Sequence, residues 1–182
     1  MKVFIIGPGG VGKTTAGKIL AKKLEHRFID LDDEFCERIE NIGVFIKTKG
    51  YTRYCYRNSE LFFELLDETK ENFVIALSSG FLIHEGLDDL VDKHKQALQE
   101  TGVSVLLLPS KSLEESEGVM IERQMKRGFG LEENRERAKI RSRFPKYKTL
   151  GDIKVFSHDT PEIIADLMFQ GLRKHSNRDG SQ

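Results

Sequence analysis

The chain has 182 residues, with 29 Lys and Arg against 29 Asp and Glu. That length suits one domain, residues 1–182, with a buried core, and the balanced charge argues against a bulk basic surface for nucleic acid or an acidic tail. Two cysteines, Cys36 and Cys55, without CxxC spacing give neither a disulfide framework nor a zinc cluster and fit reduced thiols. No apolar run nears the roughly 18 residues of a membrane span, and the start lacks a signal-peptide apolar region. The expectation is a cytoplasmic monomer with a small-molecule partner, no nucleic acid and no membrane.

The first apolar run, Val3–Ile6, reads as a buried strand and leads into Gly7-Pro8-Gly9-Gly10-Val11-Gly12-Lys13-Thr14, with a helical pattern from Lys13 to Leu24. Further strand-like runs follow at Phe28–Leu31, Phe73–Leu77, Val103–Leu108 and Ile153–Phe156. Helical patterns lie at Asn58–Glu68, Leu87–Gln99 and Pro161–Leu172. This alternation predicts an α/β fold, a five-stranded parallel sheet flanked by helices. The polar tail from His175 to Gln182 is expected to fray.

GxxxxGK[ST] between a strand and a helix is a phosphate-binding loop: glycines let backbone N–H groups wrap a phosphate, and the helix adds its positive end. Gly9, Gly10, Val11, Gly12, Lys13, Thr14 and Thr15 are the candidate ATP contacts. Lys13 would reach the β- and γ-phosphates, and the Thr14 hydroxyl would join a Mg²⁺ shell. GTPase DxxG and N/TKxD motifs are absent, and Val74–Leu77 ends in Ser78-Ser79-Gly80 where motor-like ATPases want an acidic pair. A small-molecule phosphotransferase remains. Arg123 and Arg127, spaced RxxxR and followed by Gly128 and Gly130, predict a lid over about 124–134 that excludes water.

Ligands in open parallel sheets bind beyond the carboxyl ends of strands, which directs attention to Phe28-Ile29-Asp30-Leu31-Asp32. One carboxylate can help hold Mg²⁺ while the other receives a proton from the acceptor hydroxyl; Asp32 or Asp33 can also cap the next helix.

Gly7–Thr15, Phe28–Asp32, Tyr56-Arg57-Asn58-Ser59-Glu60, Val74–Ala76, Arg143-Phe144-Pro145-Lys146-Tyr147 and Thr160-Pro161 together resemble the shikimate kinases, P-loop enzymes with the nucleoside monophosphate kinase-like fold. The resemblance implies ATP-dependent phosphorylation of a hydroxyl on a small carboxylic acid, shikimate foremost, in aromatic amino acid biosynthesis. It implies Asp32 as the base, Asp30 in the Mg²⁺ environment, and Arg57 and Arg143 on the acceptor carboxylate. Ser79 and Gly80 would lie against substrate, Arg127 would act on the transferring phosphoryl, and Pro161 would lie near the nucleotide. An acceptor-binding segment is expected at about 33–62. The chain departs from the family in Ser78-Ser79-Gly80 for three glycines, in Arg127-Gly128-Phe129-Gly130 for the lid signature, and in Gly50-Tyr51 for Gly-Glu. Gly50 also stands two positions further from Arg57 than the family's spacing. The rival readings are a nucleoside monophosphate or other small-metabolite kinase, and a non-catalytic nucleotide-dependent regulator.

Overall fold

A computed structural model describes residues 1–126 and 132–179. Its strands are β1 (Lys2–Ile6), β2 (Arg27–Asp30), β3 (Phe73–Ala76), β4 (Val103–Leu108) and β5 (Ile153–Phe156), in the order β2-β3-β1-β4-β5 with all pairings parallel. The helices among the described residues are α1 (Lys13–Leu24), α2 (Leu31–Arg38), α3 (Ile42–Lys49), α4 (Tyr51–Glu68), α5 (Asp88–Thr101), α6 (Leu113–Lys126), α7 (Glu133–Tyr147) and α8 (Pro161–Asp179).

The central strand is buried on both sides because helices cover both faces of the sheet. Val3 and Ile5 of β1 join one apolar layer with Ala16, Leu20, Ile164 and Met168 of α1 and α8. The alternate residues Phe4 and Ile6 enter the opposite layer with Phe35, Leu61, Phe62, Leu65 and Phe81. Register places Ile5 beside Ala76 and beside Val105, so the segments leaving β1, β3 and β4 emerge at one edge. The phosphate loop leaves β1 there, between the segments that follow β3 and β4.

Two expectations change. The helix predicted from Asn58 begins at Tyr51, directly after Gly50, whose φ of 89° ends α3 and starts α4. Its apolar stripe was hidden in the sequence because Asn58 and Ser59 occupy two of the buried positions. Of the tail expected to fray from His175 to Gln182, residues 175–179 continue α8, where no proline or glycine interrupts it and Ser176 bonds back to the Leu172 carbonyl, and residues 180–182 lie outside the described residues. The lid expected at 124–134 begins in α6 and ends in α7; Arg127, Gly128 and Gly130 lie outside the described residues.

Candidate active site

The phosphate loop is shaped by backbone. Gly10 has φ 82°, a left-handed conformation that side chains resist, and a Cβ there would come within 3.2 Å of the Met120 carbonyl. At Gly7 a Cβ would come within 2.4 Å of the Leu107 carbonyl, so the loop can leave β1 only without one. Val11 is buried in the core and leaves only its backbone to the loop. The Lys13 ammonium donates to the Gly7 and Pro8 carbonyls at 2.8 and 3.0 Å, folded across the cradle it serves. Gly9, Gly10, Gly12, Lys13, Thr14 and Thr15 line a cavity of about 160 Å³ together with Asp30, Asp32 and Ser79.

Asp30 and Asp32 divide their work. One Asp30 oxygen caps α2, accepting from the Asp32 and Asp33 backbone N–H groups at 3.0 and 3.4 Å; the other accepts from the Thr14 hydroxyl at 2.6 Å. A hydroxyl and a carboxylate at the mouth of a phosphate cradle are hard oxygen donors of the kind Mg²⁺ takes, with phosphates filling most of its shell. Asp32, in the first turn of α2, accepts from the Ser78 hydroxyl at 2.5 Å, and Ser78 accepts from the Asn58 amide at 3.0 Å. Burial raises the Asp32 carboxyl above its ordinary range; Ser78 and Lys13 pull it down, while Asp30 and Asp33 push it up.

A second cavity, about 120 Å³, adjoins the first through Gly9 and Ser79. α6 and α7 supply Met120, Gln124, Glu136, Lys139, Ile140 and Arg143, placing Arg143 and the Lys139–Glu136 ion pair over a partly apolar floor. Arg143 lines this second cavity, and Ser79 lines both. The Ser79 carbonyl accepts from the Tyr147 hydroxyl, which ties the turn after β3 to α7. Gly80 packs behind the turn, where a Cβ would lie 3.0 Å from the Tyr51 hydroxyl and 3.2 Å from the His84 ring.

Arg57 is not brought to the site. It pairs with Glu60 and Glu64 at 3.4 and 2.9 Å and lines a groove with Ile39, Phe45, Lys49 and Arg53. The reason is helical phase: at about 100° per residue, a two-residue displacement turns a side chain to the opposite face. The residue carrying the shorter spacing from Gly50 is Cys55, which is buried with its thiol 3.4 Å from His84 Nδ1; the Tyr51 hydroxyl lies 3.1 Å from the same nitrogen. Burial pushes the Cys55 thiol up to about 11 and His84 down to about 4, with Arg143 opposing the first and adding to the second. The two-position mismatch after Gly50 was the sequence signal for this correction.

Arg123 and Pro161 line neither cavity, but they share one end of the molecule. Arg123 donates to the His158 carbonyl at 2.9 Å, in the turn between β5 and α8, and Pro161 opens α8 three residues later. Sequence reasoning missed Gln124, whose amide donates to the Gly9 carbonyl at 3.0 Å, as well as Lys139, Tyr51 and Asn58. Gln124 lies between the two arginines of the RxxxR motif, so the motif marked its helix without marking it.

A family model described as shikimate kinase matches residues 9–173. Among relatives, the chain is 39% identical over 98 residues to the pentafunctional AROM polypeptide of Pneumocystis carinii, 29% over 181 residues to threonine synthase-like 1 of Macaca fascicularis, and 28% over 181 residues to a shikimate kinase of Psychrobacter sp.. These matches cover 52%, 97% and 95% of this chain, and 6%, 23% and 92% of the respective relatives. The chain thus spans only a small part of the first two. The fold is similar to that of the shikimate kinase from Acinetobacter baumannii in complex with shikimate, with a TM-score of 0.78, 20% identity, and coverage of 96% of this chain and 93% of that one. Five parallel strands around a phosphate loop, together with a family match over most of the length, establish that the chain belongs to the shikimate kinase family, a family of small-molecule kinases.

Proposed function

We propose that the chain, acting as one kinase domain over 1–182, transfers the γ-phosphoryl of ATP to a hydroxyl of a small carboxylic acid, with shikimate the first candidate. The observation that carries this reading is the shared wall of Gly9 and Ser79 between a phosphate cavity holding Asp32 and a second cavity holding Arg143 beside the Lys139–Glu136 ion pair. A donor and an acceptor seated in them meet beside a carboxylate.

The loop amides and Lys13 hold the donor phosphates, Arg143 takes the acceptor carboxylate as a guanidinium fork, and Asp32 receives the hydroxyl proton on its carboxylate. Thr14 and Asp30 are the residues that would hold Mg²⁺, which when bound offsets charge building up on the phosphoryl oxygens. Arg123, Arg127 and Pro161 are proposed on the nucleotide side. Balanced charge supports a role without nucleic acid, and no helix among the described residues is long and apolar enough to cross a membrane. The reading is of a cytoplasmic monomer.

A second acceptor, another small hydroxylated acid, is favoured by one observation: Cys55, and not Arg57, faces His84 and Tyr51 beside the site. ADP release measured with ATP, Mg²⁺ and a panel of shikimate, gluconate and nucleoside monophosphates tests both. Acceptor-stimulated turnover with shikimate is expected; stimulation by gluconate alone selects the second reading, and stimulation by none refutes catalysis.

A further inference from the structure

Gly9 and Gly10 are the one place in the phosphate loop where two glycines are joined, and a peptide between glycines rotates at little steric cost. Its orientation decides what a phosphate meets. A trans peptide is planar, with its C=O and N–H pointing in opposite directions, so one orientation offers the Gly10 N–H to the cradle and the flipped one offers the Gly9 carbonyl oxygen. The first attracts an anion and the second repels it.

The structure holds one orientation, and a side chain from outside the loop touches it. Gln124 of α6, 7% exposed, donates from its amide nitrogen to the Gly9 carbonyl at 3.0 Å. A carbonyl oxygen only accepts, so the nitrogen end of the amide must face it. α6 also closes on the next residue: a Cβ at Gly10 would come within 3.1 Å of Gln124 Cγ and 3.2 Å of the Met120 carbonyl. The two preceding carbonyls, of Gly7 and Pro8, accept from Lys13. Three successive loop carbonyls are thus engaged by side chains, while among the described residues the Gly10 N–H donates to no backbone carbonyl.

We infer that Gln124 is a positioning residue for the donor phosphates: its amide pins the Gly9 carbonyl against α6 and so holds the Gly10 N–H toward the phosphate cavity. This deepens the proposed function and rests on the reading of that cavity as the nucleotide's. Gln124 lines the second cavity and is not among the residues lining the first, so it acts through the peptide and not on the phosphate itself.

The test is binding of ADP with Mg²⁺ and no acceptor, by isothermal titration calorimetry, with the backbone N–H signals followed by NMR in full-length protein labelled with ¹⁵N-glycine. In wild type, ADP should move the Gly10 N–H proton signal strongly downfield, as for an amide that bonds an anion. Gln124→Met keeps the side-chain length and removes the donor. Its Kd should rise about tenfold, the scale of one hydrogen bond to a charged group. The Gly10 shift should shrink, and the Gly12 shift, on a peptide Gln124 does not touch, should remain. A loss of packing alone would weaken both shifts together and overturns the inference. Gln124→Glu, equal in size, replaces the donor by a carboxylate that only accepts and should cost at least as much.

If Gln124→Met fails to fold, Gln124→Glu carries the test. A wild-type Kd in a folded variant overturns the inference, as does a raised Kd with the Gly10 shift intact. Binding that leaves the wild-type Gly10 signal in place overturns the inference alone. If the wild-type protein binds no ADP, the nucleotide reading of the cavity falls and the inference falls with it.

Discussion

The donor half and the acceptor half of the site are built by different means. Around the phosphates, one unbroken stretch from Gly7 to Thr15 supplies nearly everything, and most of it is backbone. Around the acceptor, single side chains arrive from α4, α6, α7 and the turn after β3, with Arg143 lying 64 positions beyond Ser79 in the chain. Backbone geometry tolerates almost any outward side chain and so conserves one chemistry. A site of separate side chains changes its ligand whenever one helix turns or one residue is replaced.

The largest expected effect breaks the donor half. Lys13→Ala should lower kcat by roughly 10²–10³ with the fold intact, since it removes one preorganised positive group from the phosphoryl path. Its ammonium bonds to loop carbonyls. Circular dichroism and steady-state kinetics check this; wild-type turnover would dismiss the phosphate-loop assignment.

On the acceptor half, Arg143→Ala should raise the acceptor KM about 10- to 100-fold, the range for a lost charged hydrogen bond. The ATP KM should hardly move. Equal increases in both would show that the two halves are not separable at Arg143.

Acid offers a third route, because the buried histidines His84 and His94 both lie on the acceptor side. Burial lowers each to about 4, against an ordinary value near 6.5. A depressed imidazole pKa means that the unfolded chain binds protons the folded one refuses. Stability is therefore full above about pH 6.5 and is lost as pH falls towards 4, on the order of 2 kcal/mol for each histidine. Hydrogen exchange at pH 5 should show α4 and the turn after β3 opening before α1, and His94→Gln should lessen the loss.

The smallest effect sharpens the comparison most. Arg57→Ala should leave both KM values within about twofold and stability within about 0.5 kcal/mol, since its pairs with Glu60 and Glu64 are solvent-accessible. A large rise in acceptor KM would return Arg57 to the site.

The same contrast explains what could be read from the sequence. The phosphate loop was legible because its chemistry is contiguous, and the strands because their apolar runs are buried on both faces. Asp30 was legible as a strand end, although its double bonding to Thr14 and the α2 backbone was not. Arg57 misled because a motif fixes residue types while a helix face depends on phase, and phase is set by where α4 starts. That start, Gly50, is a backbone event the polar residues Thr52 and Arg53 concealed. Asn58 and Ser78 were invisible as a pair, since 20 positions separate them and only the fold brings them to 3.0 Å.

Ser79 and Gly9 line both cavities and form the wall they share. That shared wall has a consequence for inhibition. A single molecule that joins a nucleotide to a carboxylic acid through a short phosphate chain can occupy both chambers at once. Its second half then binds at an effective concentration set by the tether and not by the solution. Such a ligand should exceed the affinity of either half by orders of magnitude, provided the tether matches the span past Ser79. A longer tether should lose that advantage gradually, and one too short to pass the wall should bind no better than the nucleotide alone.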